Sequence, residues 1–306
     1  NIINLDIQMY SNLVLSGEAL RAVGLLGAVK YLEELDILKN IKQYVGTSAG
    51  SIISFLIIIG YNSSEIINFL SNKVDFLTDF DFNNLTNILE DYGIDDCSRN
   101  KKILEEYLSK KINKNKISFL EFTKKFGINL IVTGTNLTTR QTDYFNVDNY
   151  PDMNVIDALL ISSCIPLIYK PIEYNNCLYI DGGIYDNLPL KYFKGNENET
   201  LGIYVQTYYS NKNDNFYNYF TNIISSVMDK LSYDEILKNN YNICLIFYNE
   251  PRATDANFNM SELTLTINKD IFQKYYDYGY KEFKKFYDNL LKNKDIEVNN
   301  LVNNKN

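Results

Sequence analysis

The sequence contains no histidine, and this absence excludes a large class of hydrolytic sites. A Ser-His-Asp triad cannot be built from this chain, so a catalytic serine must take its base from Asp, Glu, Lys or Tyr. A structural zinc site is also disfavoured, because the four cysteines are widely spaced and form no C-x-x-C pair. We therefore expect reduced, mostly buried thiols, as in intracellular proteins, at Cys97, Cys164, Cys177 and Cys244.

Basic charge and long apolar runs are also scarce. Lys and Arg number 30 against 38 Asp and Glu, which gives a net charge of −8. This acidity argues against a nucleic-acid partner and against electrostatic docking on anionic membranes. The longest apolar run, IISFLIIIG at 52–60, is too short to cross a bilayer and predicts a buried helix. We predict a cytoplasmic protein that contacts membranes at most peripherally. Because the chain begins at Asn1 and not at Met, a leader peptide removed from its start stays an open alternative.

Short apolar runs alternate with amphipathic stretches of helical period, which is typical of a layered α/β fold. We expect a three-layer α/β/α sandwich around a mostly parallel sheet, in one domain over 1–291 with a polar tail at 292–306. Strands are predicted at 12–16, 41–46, 128–137, 141–147, 177–181, 201–208 and 242–249. Helices are predicted at 23–35, 49–60, 154–163, 215–238 and 268–291.

Residues 72–127 differ from this pattern and are predicted to form a cap or insertion. A polar, irregular start is followed by helices near 98–112 and 118–126. The aromatic and aliphatic residues of the start either form a lipid-facing lid or pack the insertion onto the sheet. These residues are Phe76, Leu77, Phe80 and Phe82.

The segment GTSAG, residues 46–50, has the G-x-S-x-G form of a nucleophile elbow. In such an elbow a sharp strand-to-helix turn exposes a serine at a helix N-terminus, so its neighbours must be small. Gly46, Ala49 and Gly50 meet this need around Ser48. The alternative is that Ser48 serves only as the N-cap of the helix at 49–60.

Asp181 is the candidate base. It ends the apolar strand in LYIDGGIYDNLPL, residues 178–190, and precedes Gly182 and Gly183. This places its carboxylate at a strand end, against an open turn. The alternative is a turn-forming aspartate in a D-G hairpin.

At this point the sequence resembles the patatin-like phospholipases, which pair a G-x-S-x-G serine with the aspartate of a D-G-G/A motif and use no histidine. SSCIPLIYKP (162–171), GTNLTTRQTDYFN (134–146) and GGIYDNLP (182–189) also resemble segments of that family, so the likeness covers most of the chain. The resemblance implies that Ser48 is the nucleophile and Asp181 the general base. It implies that no metal or other cofactor is needed.

The resemblance is weaker at the oxyanion hole, which the family builds from backbone N–H groups of a G-G-G-x-R-G turn. Here the turn reads SGEALRAVG, 16–24, and implies backbone donors at Gly17, Glu18 and Ala19. Arg21 occupies the position of the arginine in the family's motif, where it would either order the loop or contact a phosphate. Each such donor contributes about 3–4 kcal/mol in hydrolases. A side chain at 18 or 19 opposes a positive φ, and the Glu18 carboxylate would repel an oxyanion unless it points away.

The implied function is a lipid acyl hydrolase of the phospholipase A type, acting through a Ser–Asp dyad and an acyl-enzyme on phospholipid or another acyl lipid. Transient contact with a membrane surface follows from that substrate; the oligomeric state stays open. Two alternatives remain. One is a pseudoenzyme of the same fold that binds lipid or protein, and the other is a transacylase or thioesterase with the same dyad.

Overall fold

A computed structural model describes residues 10–78, 90–207, 216–238, 240–248, 256–259, 264–267 and 270–303. Its larger sheet comprises β1 (Asn12–Leu15), β2 (Gln43–Gly46), β4 (Asn129–Asn136), β5 (Gln141–Phe145), β7 (Ile172–Tyr174), β8 (Cys177–Asp181), β9 (Thr200–Thr207) and β10 (Asn242–Tyr248). Two small sheets pair β3 (Gly93–Asp95) with β6 (Leu167–Tyr169) and β11 (Ala256–Asn259) with β12 (Thr264–Ile267).

Nine α-helices fall within these ranges. They are α1 (Val23–Glu34), α2 (Ala49–Ile58), α3 (Ser63–Thr78), α4 (Ser98–Ile112), α5 (Phe119–Phe126), α6 (Val155–Ser162), α7 (Gly183–Asp186), α8 (Phe216–Lys238) and α9 (Asp270–Asn303). Across the described ranges, every helix is too short or too polar to be a candidate membrane span.

The main sheet has the strand order β10-β9-β1-β2-β4-β8-β7, with β5 paired to β4. The pairs from β10 to β4 are parallel, whereas β5, β7 and β8 are added in antiparallel register. The carboxyl ends of β1 and β2 therefore meet at one edge, where ligands bind in open α/β sheets. The expected α/β fold is confirmed, with a mixed sheet whose parallel half carries the predicted elbow.

Each face of the sheet has its own hydrophobic core. On one face, α1, α2, α6 and α9 cover the sheet, and α1 lies along α9, where Tyr31 contacts the rings of Tyr280, Phe283 and Tyr287. On the other face, Val14, Val45 and Ile131 pack against residues 188–193 and Tyr204. The four cysteines are free thiols; three are buried, and Cys177 is half-buried.

The predicted β4–β5 hairpin and the helices near 98–112 and 118–126 are observed, the latter starting with a capping box at Ser118. Two of the differences from expectation concern the tail and the insertion. The last helix continues to Asn303, well into the segment predicted to be a polar tail. The β3–β6 pair ties the insertion to the main domain, although neither strand was predicted. Phe80 and Phe82 lie outside the described residues, as do the side chains of Phe76 and Leu77.

Candidate active site

Ser48 occupies a tight turn between β2 and α2 and has a positive φ, with φ 50° and ψ −123°. Such a conformation is unfavourable for a residue with a side chain and is typical of functional turns. A Cβ on Gly46 would lie 2.4 Å from the Ser51 Cα, and one on Gly50 would lie 2.4 Å from the Leu15 carbonyl oxygen. The two glycines of G-x-S-x-G are therefore required by close backbone approach.

The alternative of a simple N-cap serine does not describe this turn. Ser48 is the N-cap residue of α2. Within the described part of the chain, however, its side chain accepts no hydrogen bond from the backbone N–H groups of that helix. It lies instead beside the Asp181 carboxylate, close enough to lower the pKa of that group. The side chain is thus directed across the sheet edge, away from the first turn of its own helix.

The register of the sheet explains how these two side chains meet. Gly46 lies opposite Val132 of β4, and Asp181 of β8 lies opposite Gly134, two residues farther along β4. Ser48, two residues beyond Gly46, is therefore level with Asp181 across β4. The strands β2 and β8 are separated by about 10 Å, twice the spacing of neighbouring strands. The side chains of Ser48 and Asp181 face each other across this distance.

The Asp181 carboxyl group is buried, with 4% of the residue exposed. Burial raises the pKa of this carboxyl to about 7, whereas the neighbouring Ser48 hydroxyl and the hydrogen bond from the Gly183 N–H lower it. The Gly183 N–H lies 2.7 Å from the Asp181 Oδ1. Gly182 is close-packed as well, since a Cβ there would lie 2.3 Å from the Thr133 Oγ1. A carboxylate with a pKa near neutrality is well matched to accept and return a proton at physiological pH.

The loop that follows β1 differs in part from the oxyanion hole that the sequence implied. The Gly17 N–H donates to the Asn187 Oδ1 at 3.1 Å, so in this structure it is engaged with protein and not directed at substrate. Ala19 lines the cavity beside Ser48 and has φ 44°, the left-handed conformation that glycine usually takes. The candidate donors are thus narrowed to Glu18 and Ala19.

Glu18 and Arg21, in the loop after β1, are both buried. Burial raises the pKa of the Tyr204 phenol, and the charges of Asp229 and then Glu18 raise it further, so Glu18 lies within electrostatic range of Tyr204. Glu18 does not line the cavity. The Arg21 guanidinium lies over the rings of Tyr248 and Tyr275, 5.6 and 5.2 Å from their centroids. Arg21 is thus packed against these rings and is 2% exposed, a poor position for contact with a phosphate at the surface.

Two residues at the site were missed in the sequence. The Ser162 Oγ accepts the Ser48 N–H at 2.9 Å, and Asn187 holds Gly17 as described above. Ala49, the residue after Ser48, also lines the cavity at the N-terminus of α2. Ser162 and Asn187 fall within SSCIPLIYKP and GGIYDNLP, but only the folded chain shows which atoms they contact.

An apolar cavity of about 210 Å³ opens beside Ser48. An apolar cavity of about 150 Å³ holds a benzene ring, so this one has room for part of an alkyl chain. Its walls come from α2, α3, α4, α6, α9, β6 and the loop after β1, and include Leu20, Ile52, Leu56, Phe69, Leu104 and Ile168. In the part of the chain that is described, no three His, Cys, Asp or Glu side chains gather to hold a metal ion.

Known proteins with similar sequences and folds agree with this architecture. Over 188 residues the chain is 38% identical to the probable lipid hydrolase 463L of Invertebrate iridescent virus 6, a match that covers 59% of this chain and 62% of the viral protein. Among solved structures, VipD from Legionella pneumophila superposes with a TM-score of 0.58 at 16% identity. ExoU of Pseudomonas aeruginosa, in its complex with SpcU, superposes with a TM-score of 0.54 at 16% identity.

These two superpositions each cover 92% of this chain, but 67% of VipD and 52% of ExoU, so they support the fold alone. The family model described as patatin-like phospholipase matches residues 13–194, from β1 to the segment after Asp181. That range contains the elbow, the aspartate and the loop after β1. The chain therefore belongs to the patatin-like phospholipase family.

Proposed function

We propose that this protein is a lipid acyl hydrolase of the phospholipase A type, with Ser48 as nucleophile and Asp181 as general base. The observation that carries the proposal is the position of Ser48 beside a buried Asp181 carboxyl, level with it across β4, whose pKa is raised to about 7 by burial. A serine hydroxyl is a weak nucleophile until a base removes its proton. In a chain without histidine, this neighbouring carboxylate is the candidate base.

The reaction follows from this arrangement. Asp181 takes the Ser48 proton as the Ser48 Oγ attacks the ester carbonyl, and backbone N–H groups stabilise the oxyanion. Candidate donors are Glu18 and Ala19 of the loop and Ala49, because in serine hydrolases the residue after the nucleophile often donates. Collapse of the tetrahedral intermediate breaks the ester C–O bond, and the leaving alkoxide takes the proton back from Asp181. Water, deprotonated by Asp181, then hydrolyses the acyl-enzyme.

The substrate class follows from the cavity beside the nucleophile. Its walls are almost wholly apolar, and Ser48 lies at its margin, so an acyl chain in the cavity would present its carbonyl carbon to the Ser48 Oγ. The net charge of −8 favours approach to zwitterionic or uncharged lipid surfaces over anionic ones. We therefore expect phospholipid substrates, a transient contact with their surface and a cytoplasmic location.

The direct test is fatty-acid release from phosphatidylcholine in mixed micelles. We expect the wild type to release fatty acid and Ser48→Ala to release none above background, while both proteins retain the same far-UV circular dichroism. Phosphatidylcholine with different chains at the two positions will identify the ester that is cleaved. If the folded wild type releases no fatty acid from phospholipid or from neutral lipid, or if Ser48→Ala releases it equally, the proposal is wrong.

A further inference from the structure

The last residue of α6 bonds to Ser48 and to the residue after Asp181. The Ser162 Oγ accepts the Ser48 N–H at 2.9 Å, and the Ser162 carbonyl oxygen accepts the Gly182 N–H at 3.2 Å. Two residues on, the Cys164 carbonyl oxygen accepts the Asp181 N–H at 2.8 Å. One short segment thus holds the backbone of the serine and that of the aspartate.

This link spans a gap that the sheet leaves open. Ser48 follows β2 and Asp181 ends β8, and these strands do not pair with each other because β4 lies between them. The end of α6 lies over β4 at that point, where a Cβ on Gly134 would be 2.9 Å from the Ile161 Cγ2. The distance between the two side chains therefore depends on α6 as well as on the strand register.

The bond to Ser162 is also costly to lose. Ser48 is held at φ 50°, a conformation that persists only where its surroundings enforce it. Ser162 is fully buried, so removing its hydroxyl would leave the Ser48 N–H without this acceptor in a region closed to solvent. A small rotation of the elbow would then carry the Ser48 Oγ away from the Asp181 carboxylate.

We propose that Ser162 is a positioning residue that fixes the Ser48 elbow relative to Asp181. The inference rests on the proposed function, because it assigns Ser162 a role in the reactivity of Ser48. Ser162 does not line the cavity, although its neighbours Leu160 and Ser163 do. Its loss is therefore expected to affect the chemical step and not substrate binding.

The experiment compares wild type, Ser162→Ala and Ser54→Ala. Ser54 is an equally buried helical serine, and its Oγ donates to the Gly50 carbonyl oxygen at 2.8 Å, so it is a matched control for the loss of a buried hydroxyl. Two activities are measured between pH 5 and 9: the rate of Ser48 labelling by a fluorophosphonate, and the kcat and KM for p-nitrophenyl butyrate. Melting temperatures are recorded for every variant.

We expect Ser162→Ala to lower the labelling rate and kcat about 10- to 100-fold, the loss that follows from a displacement of about 1 Å, with KM within about twofold of wild type. The midpoint of the pH profile should stay near the wild-type value, because the Ser162 side chain makes no bond to the carboxyl. Ser54→Ala should retain wild-type rates and show a similar decrease in melting temperature. Should Ser162→Ala not fold, Ser162→Cys, with a similar volume and a weak acceptor, replaces it.

Each other outcome is decisive. Wild-type rates in folded Ser162→Ala would overturn the positioning role and leave the proposed function intact. A lowered pH midpoint, or an equal loss of rate in Ser54→Ala, would indicate general loosening of the site and also overturn it. Failure of both Ser162 variants to fold would assign a purely structural role. An unreactive wild type would instead contradict the proposed function itself.

Discussion

Replacement of Asp181 by asparagine is expected to stabilise the fold at neutral pH while it abolishes reactivity. Burial raises the pKa of this carboxyl from 3.8 to about 7, so the folded protein binds its proton more tightly than the unfolded chain does. The stability contributed by this group is therefore full below a pH of about 3.8 and is lost as the pH rises through about 7. Above that range the wild type carries a buried charge that an amide lacks.

The size of the effect follows from the two pKa values. A difference of about three units corresponds to about 4 kcal/mol at 1.36 kcal/mol per unit, which is an upper figure because the site rearranges in response to the charge. An asparagine keeps an oxygen for the Gly183 N–H, so the exchange loses little hydrogen bonding. We expect Asp181→Asn to be more stable than wild type by about 2–4 kcal/mol at pH 8, with a smaller gap at pH 5.

Thermal unfolding of both proteins at pH 5, 6, 7 and 8 measures this gap. At about 2–4 °C per kcal/mol, the melting temperature of the variant should exceed that of wild type by roughly 4–16 °C at pH 8. Asp277→Asn, at an exposed position on α9, controls for the lost charge. A variant no more stable than wild type at pH 8, or a gap that narrows as the pH rises, would refute the assignment of a buried, proton-retaining carboxyl.

Three other predictions concern activity. The kcat/KM for a neutral ester should rise with pH through an apparent pKa of about 7, because Asp181 must be ionised to accept the Ser48 proton; a profile flat from pH 5 to 9 would contradict this. Ile52→Trp, which fills the cavity, should reduce hydrolysis of decanoyl esters more than that of butyryl esters, whereas an equal loss would place the acyl chain elsewhere. Gly17→Ala would place a Cβ 2.7 Å from the Asn187 Oδ1 and 3.0 Å from the Ser48 Cβ, and we expect the labelling rate to decrease about 100-fold; a decrease below twofold would show that the loop adapts.

Much of the fold could be predicted because its signals are local. A hydrophobic pattern within each segment predicts the strands β1, β4 and β10 and the helices α1, α2 and α6. None of these patterns depends on a residue far away in the chain. The strands β3 and β6 could not be predicted, since each is three residues long and is defined by its partner. The antiparallel addition of β8 is likewise set by tertiary pairing with β4, which no local pattern specifies.

At the site, the sequence indicated which residues to examine and left their contacts open. Ser48 and Asp181 were predicted from their motifs, and the sheet register places the two residues level with each other across β4. The burial of Glu18 could not be predicted, because it arises from tertiary packing; its charge acts on Tyr204, which is 186 positions away in the chain. The engagement of the Gly17 N–H by Asn187 is non-local in the same way. That bond decides that the Gly17 N–H is not left for an oxyanion.

The central claim is that Ser48 is activated by Asp181. The most direct measurement is the intact mass of the protein after reaction with an alkyl fluorophosphonate, with peptide mapping of the modified residue. One adduct is expected on wild type, located at Ser48, and none on folded Ser48→Ala or Asp181→Asn. Wild type without an adduct would contradict the claim and favour a pseudoenzyme of this fold, and an adduct on Asp181→Asn at the wild-type rate would show that another group activates the serine.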